Sequence, residues 1–577
     1  MEKEAKRHYN KRKKEKGIYM ICPTLKDQNF WKNAARDPRY AAALSKVEMF
    51  WEQRYEEIPV LTYEDRMLYY KTGDRKRFET PYFRRRNTVS AAAILALMHP
   101  EETVYVDYVQ RMLWAICDEY SWAVPAHTDG TLEEDTAHID LFSAETALAL
   151  TEICYALEER LEAPVCHRVR SEVKRRVIDT YCTKISWFEG QHNNWASVCS
   201  GNVGAAMMYL APDAFEAQLP RLLDSMARFI DDFSDDGVCM EGATYWTYGF
   251  SSFAWFAEML LSYTNGKIDL WRGKKVEKIA GYMLKSFLKG NTTVSFADGG
   301  RYGKAFEALQ YLLSQKFPRS VHMLPPKVSA VWTGNVTWLH LTRSFFYAPP
   351  VDVRRALPIQ SYDFPSAGQV IVNEDKYSLF VKAGHNNEPH NHNDVGSFIL
   401  STEHGQVFCD IGSGLYTRQY FRFSMHERYA ILCNSSRGHS VPVINGCEQM
   451  MGCEFKGSIA HNGNRINVEM AGAYDIPALK RLSRSLEHGE REVILTDSYE
   501  GELASFVERF VTLLEPTVCE NAVRVANVVL HFDPQEVMLN AHTDTHLNHA
   551  GEPVTVHVLD FALAKETKKA SFTFEIL

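Results

Sequence analysis

The stretch "QVIVNEDKYSLFVKAG", residues 369–384, is where the reading of this chain turns. Two apolar runs rich in Val, Ile, Leu and Phe flank a short polar break, the pattern of two strands joined by a tight turn. Just upstream, "FFYAPPVDVRRALPIQSYDFPSAG" (345–368) carries prolines that continue neither helix nor central strand. Downstream the period of two persists in "GQVFCDIGSG" (405–414), "NRINVEMAGAY" (464–474), "REVILTDSYEG" (491–501), "VRVANVVLHFD" (523–533), "VTVHVLDFALA" (554–564) and "ASFTFEIL" (570–577). Upstream the period is helical. "RYAAALSKVEMFWEQRY" (39–55), "VDYVQRMLWAICDEYSW" (106–122), "SAETALALTEICYALEERL" (143–161) and "PRLLDSMARFIDDF" (220–233) each repeat apolar residues at i, i+3 and i+4. The helical segments come in successive pairs with short turns, as in hairpins wound into a solenoid or toroid. A run of helices followed by a run of strands predicts an α+β multidomain chain, its second part an antiparallel β-sandwich. The expected boundaries are a basic tail at 1–25, a helical domain at 26–345 and a sandwich at 346–577.

Composition narrows the function. The 577 residues are 45% hydrophobic and 24% charged, as in ordinary globular proteins, with a rich 12% aromatic share that suits sugar-stacking surfaces. A net charge of -9 argues against a nucleic-acid binder, whose affinity rests on a basic surface. The opening "MEKEAKRHYNKRKKEKG" reads as a solvated tail open to disorder. No apolar h-region follows it and no run of about 18 apolar residues occurs, so neither a secretory signal nor a membrane span is expected. The expected location is a bacterial cytoplasm. The 12 cysteines are scattered singly, without a CxxC pair, and read as small buried apolar residues in a reducing compartment.

Chemistry concentrates in a few places. "EPHNHNDVGSFIL" (388–400) sets His390, His392 and Asp394 at alternate positions, which in an extended strand would share one face. Asp410 ends an apolar run in "GQVFCDIGSG", and His439 precedes another in "NSSRGHSVPVING". Imidazoles and a carboxylate from separate strands suit a metal with an open position, such as zinc. In the helical half, "WFEGQHNNWASVCSGNVGAA" places His192, Asn193, Asn194 and Trp195 at a helix start. "FSDDGVCMEGATYWTYGF" supplies Asp235, Asp236, Glu241, Tyr245, Trp246 and Tyr248, with Glu241 and Tyr245 four apart on one expected helical face. "VSFADGGRYGKAF" is a turn containing Asp298 and Arg301.

Taken together, the Asn-Trp helix start, the DGxxxEGxxYxxYG stretch, the HxHxD segment, the D-x-G turn and the H-S-x-x-x-x-x-G strand resemble the heparinase II/III family of polysaccharide lyases. The resemblance runs in family order over most of the chain. It implies an incomplete (α/α) toroid followed by the sandwich, with an anionic uronic-acid oligo- or polysaccharide cleaved between them by β-elimination. It further implies Tyr245 and His390 as acid and base, and Asn194 with His192 at the substrate carboxylate. Trp195, Glu241, Arg301, Tyr416 and Tyr420 would contact substrate. His392, Asp410 and His439 would hold a divalent metal, zinc by its ligand set, in a mainly structural role. The family's "HNT" at the third ligand reads "GHS" here, at 438–440.

Heparin or heparan sulfate is the expected glycan. Arg84, Arg85, Arg86, Arg301 and Arg418 are candidate contacts for its anionic groups, because guanidinium binds such oxygens in bidentate fashion. No nucleic acid or membrane partner is expected, and a homodimer is left open. One alternative is a glycoside hydrolase on the same toroid, with Asp235, Asp236 and Glu241 as its carboxylates. The other is a non-catalytic glycan binder.

Overall fold

A computed structural model of the protein describes residues 22–132, 135–331, 336–350, 357–564 and 567–577. Of the expected tail, residues 1–21 lie outside the described residues. Its last residues are described: Pro23–Lys26 is a 3-10 turn that buries Leu25 in the helical core, and Lys26 pairs with Glu158 at 3.1 Å.

Along the helical half, helices of two kinds alternate. The latter part of Lys76–Met98, then Leu141–Ala156, Asn194–Leu210 and Ala243–Tyr263 are buried nearly all round. Thr103–Cys117, Ala163–Val173, Pro212–Asp232 and Lys274–Lys285 each bury a single stripe. A helix apolar on every side belongs inside and an amphipathic one outside, so the alternation builds an inner ring wrapped by an outer ring. Helix Trp338–Phe346 joins the inner ring through Arg343, whose two Nη atoms donate to Glu152 at 2.7 and 2.9 Å. Trp338 Nε1 donates to the same carboxylate at 2.9 Å.

The strands after Ser361 form a five-stranded, a four-stranded and a nine-stranded sheet, their named pairings all antiparallel. Gln369–Asn373 and Ser378–Lys382 sit inside the five-stranded sheet, and every residue of both is buried. The reason is that the sheet is covered on both faces. Ile371, Phe380 and Ile399 join the toroid's core, while Val370, Val372, Leu379, Val381 and Leu400 join the core of the other sheets. Continuous apolar runs rather than strict alternation are what such a doubly buried sheet requires. Inside the sandwich, Phe398, Phe408, Phe510 and Phe574 pack edge to face, with Phe408 and Phe574 centroids 5.0 Å apart.

Candidate active site

Three inner helices begin on one rim and supply half of the site. Asp140 caps Leu141–Ala156 in a capping box with Ser143. Asn193 caps Asn194–Leu210, accepting from the Trp195 amide at 3.1 Å. Gly242, at φ 95°, turns the chain into Ala243–Tyr263. Asn194 is buried against that last helix: a Cβ on Gly249 would lie 3.1 Å from Asn194 Cβ. Gly249 is one turn after Tyr245 on the same face. Trp195 packs its ring against His127 (4.8 Å) and Trp187 (4.7 Å), and His192 is exposed beside them. Glu241 lies in the turn before the helix, not on it. The expected shared helical face with Tyr245 is therefore absent, because the helix starts only at Ala243.

The other half comes from the sandwich. His390, His392 and Asp394 do not lie on a strand: they occupy the loop between Gly384–Asn386 and Phe398–Thr402. His390 has a left-handed backbone (φ 56°), which ends the alternation expected of the motif. Both histidines nevertheless converge on Asp298. His390 Nδ1 lies 2.5 Å from its Oδ2, and His392 Nε2 lies 3.3 Å from its Oδ1. Tyr416 donates to Oδ2 at 2.9 Å and Tyr420 donates to Oδ1. Tyr245 shares a 2.9 Å hydrogen bond with Tyr416, and its ring stacks on His390 with centroids 4.4 Å apart. Asp394 turns away to a buried ion pair with Lys382. Arg428, fully buried, holds the loop by donating to the Asn391 carbonyl at 3.0 Å and to that of Tyr420 at 2.9 Å.

The electrostatics follow from this packing. Burial opposes a charge on Asp298, but hydrogen bonds from His390 and His392 outweigh it and hold the carboxyl far below its usual range. Burial, then the charges of Asp298 and Glu241, push the Tyr245 phenol well above its ordinary value. Glu241 is itself raised, first by burial, although His390 partly offsets this.

His392, Asp410 and His439 form a second, deeper group, all buried, with ligand atoms within 4.8 Å of one another. His439 Nδ1 is 3.4 Å and His392 Nδ1 3.9 Å from Asp410 Oδ2, and neither ring nitrogen has a hydrogen-bond partner. Their other nitrogens face the Cys433 carbonyl (2.8 Å) and Asp298 (3.3 Å). Both acceptors favour Nε2–H tautomers, leaving two lone pairs aimed at one carboxylate oxygen. Such a donor set fits a divalent cation.

The remaining candidates divide. Arg301 is half-buried beside Cys409 and His546, next to this deeper group. Arg418 is exposed. Arg85 and Arg86 are spent on the buried Glu119, at 2.9 and 2.7 Å, and Arg84 stacks over Tyr55, so none of the three presents a free guanidinium to a glycan. Asp235 is 89% exposed, and Asp236 accepts the Ser366 amide at 2.6 Å across the domain joint. The carboxylates expected of a hydrolase are thus dispersed. Asp298, the hub, was visible in sequence only as an acid in a glycine-bounded turn. Tyr416 and Tyr420 were expected to contact sugar, and the structure sets their hydroxyls on Asp298.

Residues 357–568 match the family described as Heparinase II/III-like, C-terminal. No curated protein matches the chain in sequence. Among solved structures the chain is similar to Heparinase III, with a TM-score of 0.65, 12% identity, and 93% of this chain and 85% of that one covered. It is similar to the heparan sulfate lyase HepC from Pedobacter heparinus at TM-score 0.61 and 13% identity, over 94% and 83% of the two chains. For the chondroitin AC lyase from Streptomyces coelicolor A3, in complex with chondroitin sulphate, the values are 0.57 and 10%, over 95% and 82%. The match to the heparinase II/III-like family model is thus confined to the sandwich half, and over nearly its whole length the chain shares the fold of these solved structures.

Proposed function

We propose that this protein is a polysaccharide lyase that cleaves uronic-acid glycans by β-elimination, with heparan sulfate as its preferred class of substrate. The observation that carries the reading is the stacked Tyr245–His390 pair, linked through Tyr416 to one carboxylate. With its Nδ1 proton held by Asp298, His390 presents an Nε2 lone pair, the arrangement of an oriented general base. A phenol kept protonated by burial is suited to deliver a proton. In the proposed reaction His390 Nε2 takes the proton alpha to the uronate carboxylate. The carbon–oxygen bond at the adjacent position then breaks, its electrons staying with the leaving oxygen, which takes the Tyr245 proton. The electrons of the broken C–H bond become the new double bond. Asp298 stays ionised throughout and only orients the imidazole, so after product leaves His390 gives up the gained proton to water and Tyr245 regains one from it.

In this reading Asn194 donates to the substrate carboxylate, where charge develops, a contact worth about 3–4 kcal/mol in comparable sites. His192 is exposed beside it and Trp195 offers a ring for a sugar face. His392, Asp410 and His439 would hold a divalent ion, zinc by the donor set. When bound, it supplies a fixed charge that ties the His390 loop to the strand before Asp410. The preference for heparan sulfate rests on likeness to the heparinase structures.

The test is a time course of the ultraviolet band of the conjugated unsaturated uronate with heparan sulfate, chondroitin, hyaluronan and alginate oligosaccharides. Wild type is expected to raise it most with heparan sulfate, and Tyr245→Phe to cut the rate by about 10²–10⁴-fold with binding retained. New reducing ends without that band would mean hydrolysis and would overturn the reading.

A further inference from the structure

One turn of the sandwich reaches over the rim of the toroid. Strands Val537–Leu547 and Pro553–Leu563 are joined by residues 548–552, which lock to one another. The Asn548 side chain accepts the Glu552 amide at 2.9 Å, its carbonyl accepts the Gly551 amide at 2.8 Å, and Gly551 (φ 83°) takes the left-handed backbone the turn needs. The stem is tied to the site, because the Leu415 amide donates to the Leu547 carbonyl at 3.2 Å. Next to Leu415 is Tyr416, whose hydroxyl links Tyr245 and Asp298. His549, exposed on the turn, sets its ring edge-on to that of Tyr416 with centroids 4.5 Å apart. The tip ends on the toroid, where Lys76 Nζ donates to the Ala550 carbonyl at 3.3 Å.

These contacts span the rim. Helices Lys76–Met98, Leu141–Ala156, Asn194–Leu210 and Ala243–Tyr263 pack in that order round the inner ring, each on the next. Lys76 starts the first of them, and Tyr245 lies at the start of the last. Phe83 meets Phe142 at 4.8 Å, so Lys76, about two helical turns before Phe83, stands above the rim from which Asp140 and Asn194 face the cleft. The sandwich therefore touches the toroid at both ends of this arc, at Tyr416–Tyr245 and at Ala550–Lys76, with Asn194 between them. A long glycan laid sideways into the cleft would have to cross that bridge, whereas a chain entering by its end would not. The imidazole carried on the bridge offers an N–H donor to a carboxylate or sulfate oxygen.

We propose that the 548–552 turn makes the enzyme end-acting: it bars the interior of a long glycan from the Tyr245–His390 pair, and His549 is a specificity-determining residue that holds an anionic group of the terminal sugar. This inference rests on the lyase reading and adds the mode of attack to it. The experiment follows unsaturated products by size, from long chains and from an octasaccharide of heparan sulfate, or of whichever of the four glycans above is turned over fastest. It compares the full chain with His549→Ala and with a variant in which residues 548–552 are replaced by a two-residue Asn-Gly turn, a connection suited to antiparallel strands. Wild type is expected to release the smallest unsaturated product from the first turnovers while the bulk chain length falls slowly. The short turn should instead give unsaturated fragments of many sizes early. His549→Ala should keep the wild-type pattern and raise KM about 10-fold with kcat little changed, the loss of one hydrogen bond to a charged group. Mid-sized unsaturated fragments in the first turnovers of wild type would overturn end attack, and an unchanged KM in His549→Ala would overturn its contact. No unsaturated product from any glycan would overturn the lyase reading, and this inference with it. If the short-turn variant fails to fold, the wild-type pattern and His549→Ala still decide.

Discussion

At Asp298 two carboxylate oxygens receive four donors: His390 and Tyr416 on one, His392 and Tyr420 on the other. An amide in its place offers one accepting oxygen and turns an NH₂ toward the second pair. Asp298→Asn is therefore expected to leave the fold intact, to change KM little, and to lower kcat by about 10²–10⁴-fold, as when an oriented imidazole loses its carboxylate. Initial rates across substrate concentration check it, and an equal loss in KM alone would contradict it. At this scale the sequence was partly legible. Histidines two apart announced a convergent site, and His392, Asp410 and His439 do come together. The means of convergence was hidden, because alternation cannot show that His390 adopts a left-handed backbone or that its partner lies 92 residues upstream.

Elements hold this site through buried charge. Arg484, fully buried on Leu479–His488, pairs with Asp497 at 2.8 Å and Glu508 at 2.6 Å, and donates to the carbonyls of Gly396 and Ser440 at 2.7 and 2.8 Å. Those carbonyls flank the His390–His392 loop and His439, so one guanidinium steadies both segments that carry the candidate ligands. Arg484→Met strands two acids in the core and is expected to cost about 3–5 kcal/mol, read as a fall in the urea midpoint. Within the toroid, His340 lies in the helix Trp338–Phe346 against the Phe306 ring, 5.6 Å away. Burial and then Arg343 push its pKa down to about 3. The unfolded chain protonates this histidine near pH 6.5, so stability is full above that pH and falls as pH drops toward the folded value. Between pH 7 and pH 5 the wild type should lose about 2 kcal/mol more than His340→Leu, measured by paired urea melts. Helix and strand identity were readable from period alone. The split into inner and outer helices was carried by how many sides of each are apolar, and the motif taken for a strand failed where a loop mimicked its alternation.

The whole molecule joins its halves through apolar surface as well as through the site. Phe380 stacks on Phe296 with centroids 5.8 Å apart, Phe364 meets Tyr282 at 6.0 Å, and Ile371 and Ile399 belong to the toroid's own core. The site is composite in the same way, with Asn194, Tyr245 and Asp298 on one side and His390, Tyr416 and Tyr420 on the other. The change of period near residue 369 marked where one architecture gives way to the next, but which face of those strands the helices would claim depends on packing that no local pattern encodes. Domains that share only a polar seam move and melt separately, whereas a large hydrophobic joint couples them. Differential scanning calorimetry should accordingly record a single transition with matching calorimetric and van't Hoff enthalpies, and two resolved peaks would contradict this. The consequence of a sheet buried on both faces is that the border between the two architectures is no border in free energy. Neither half, produced alone, has anywhere to put Ile371 and Phe380 or the helices that cover them, so the chain should fold and fail as one cooperative unit.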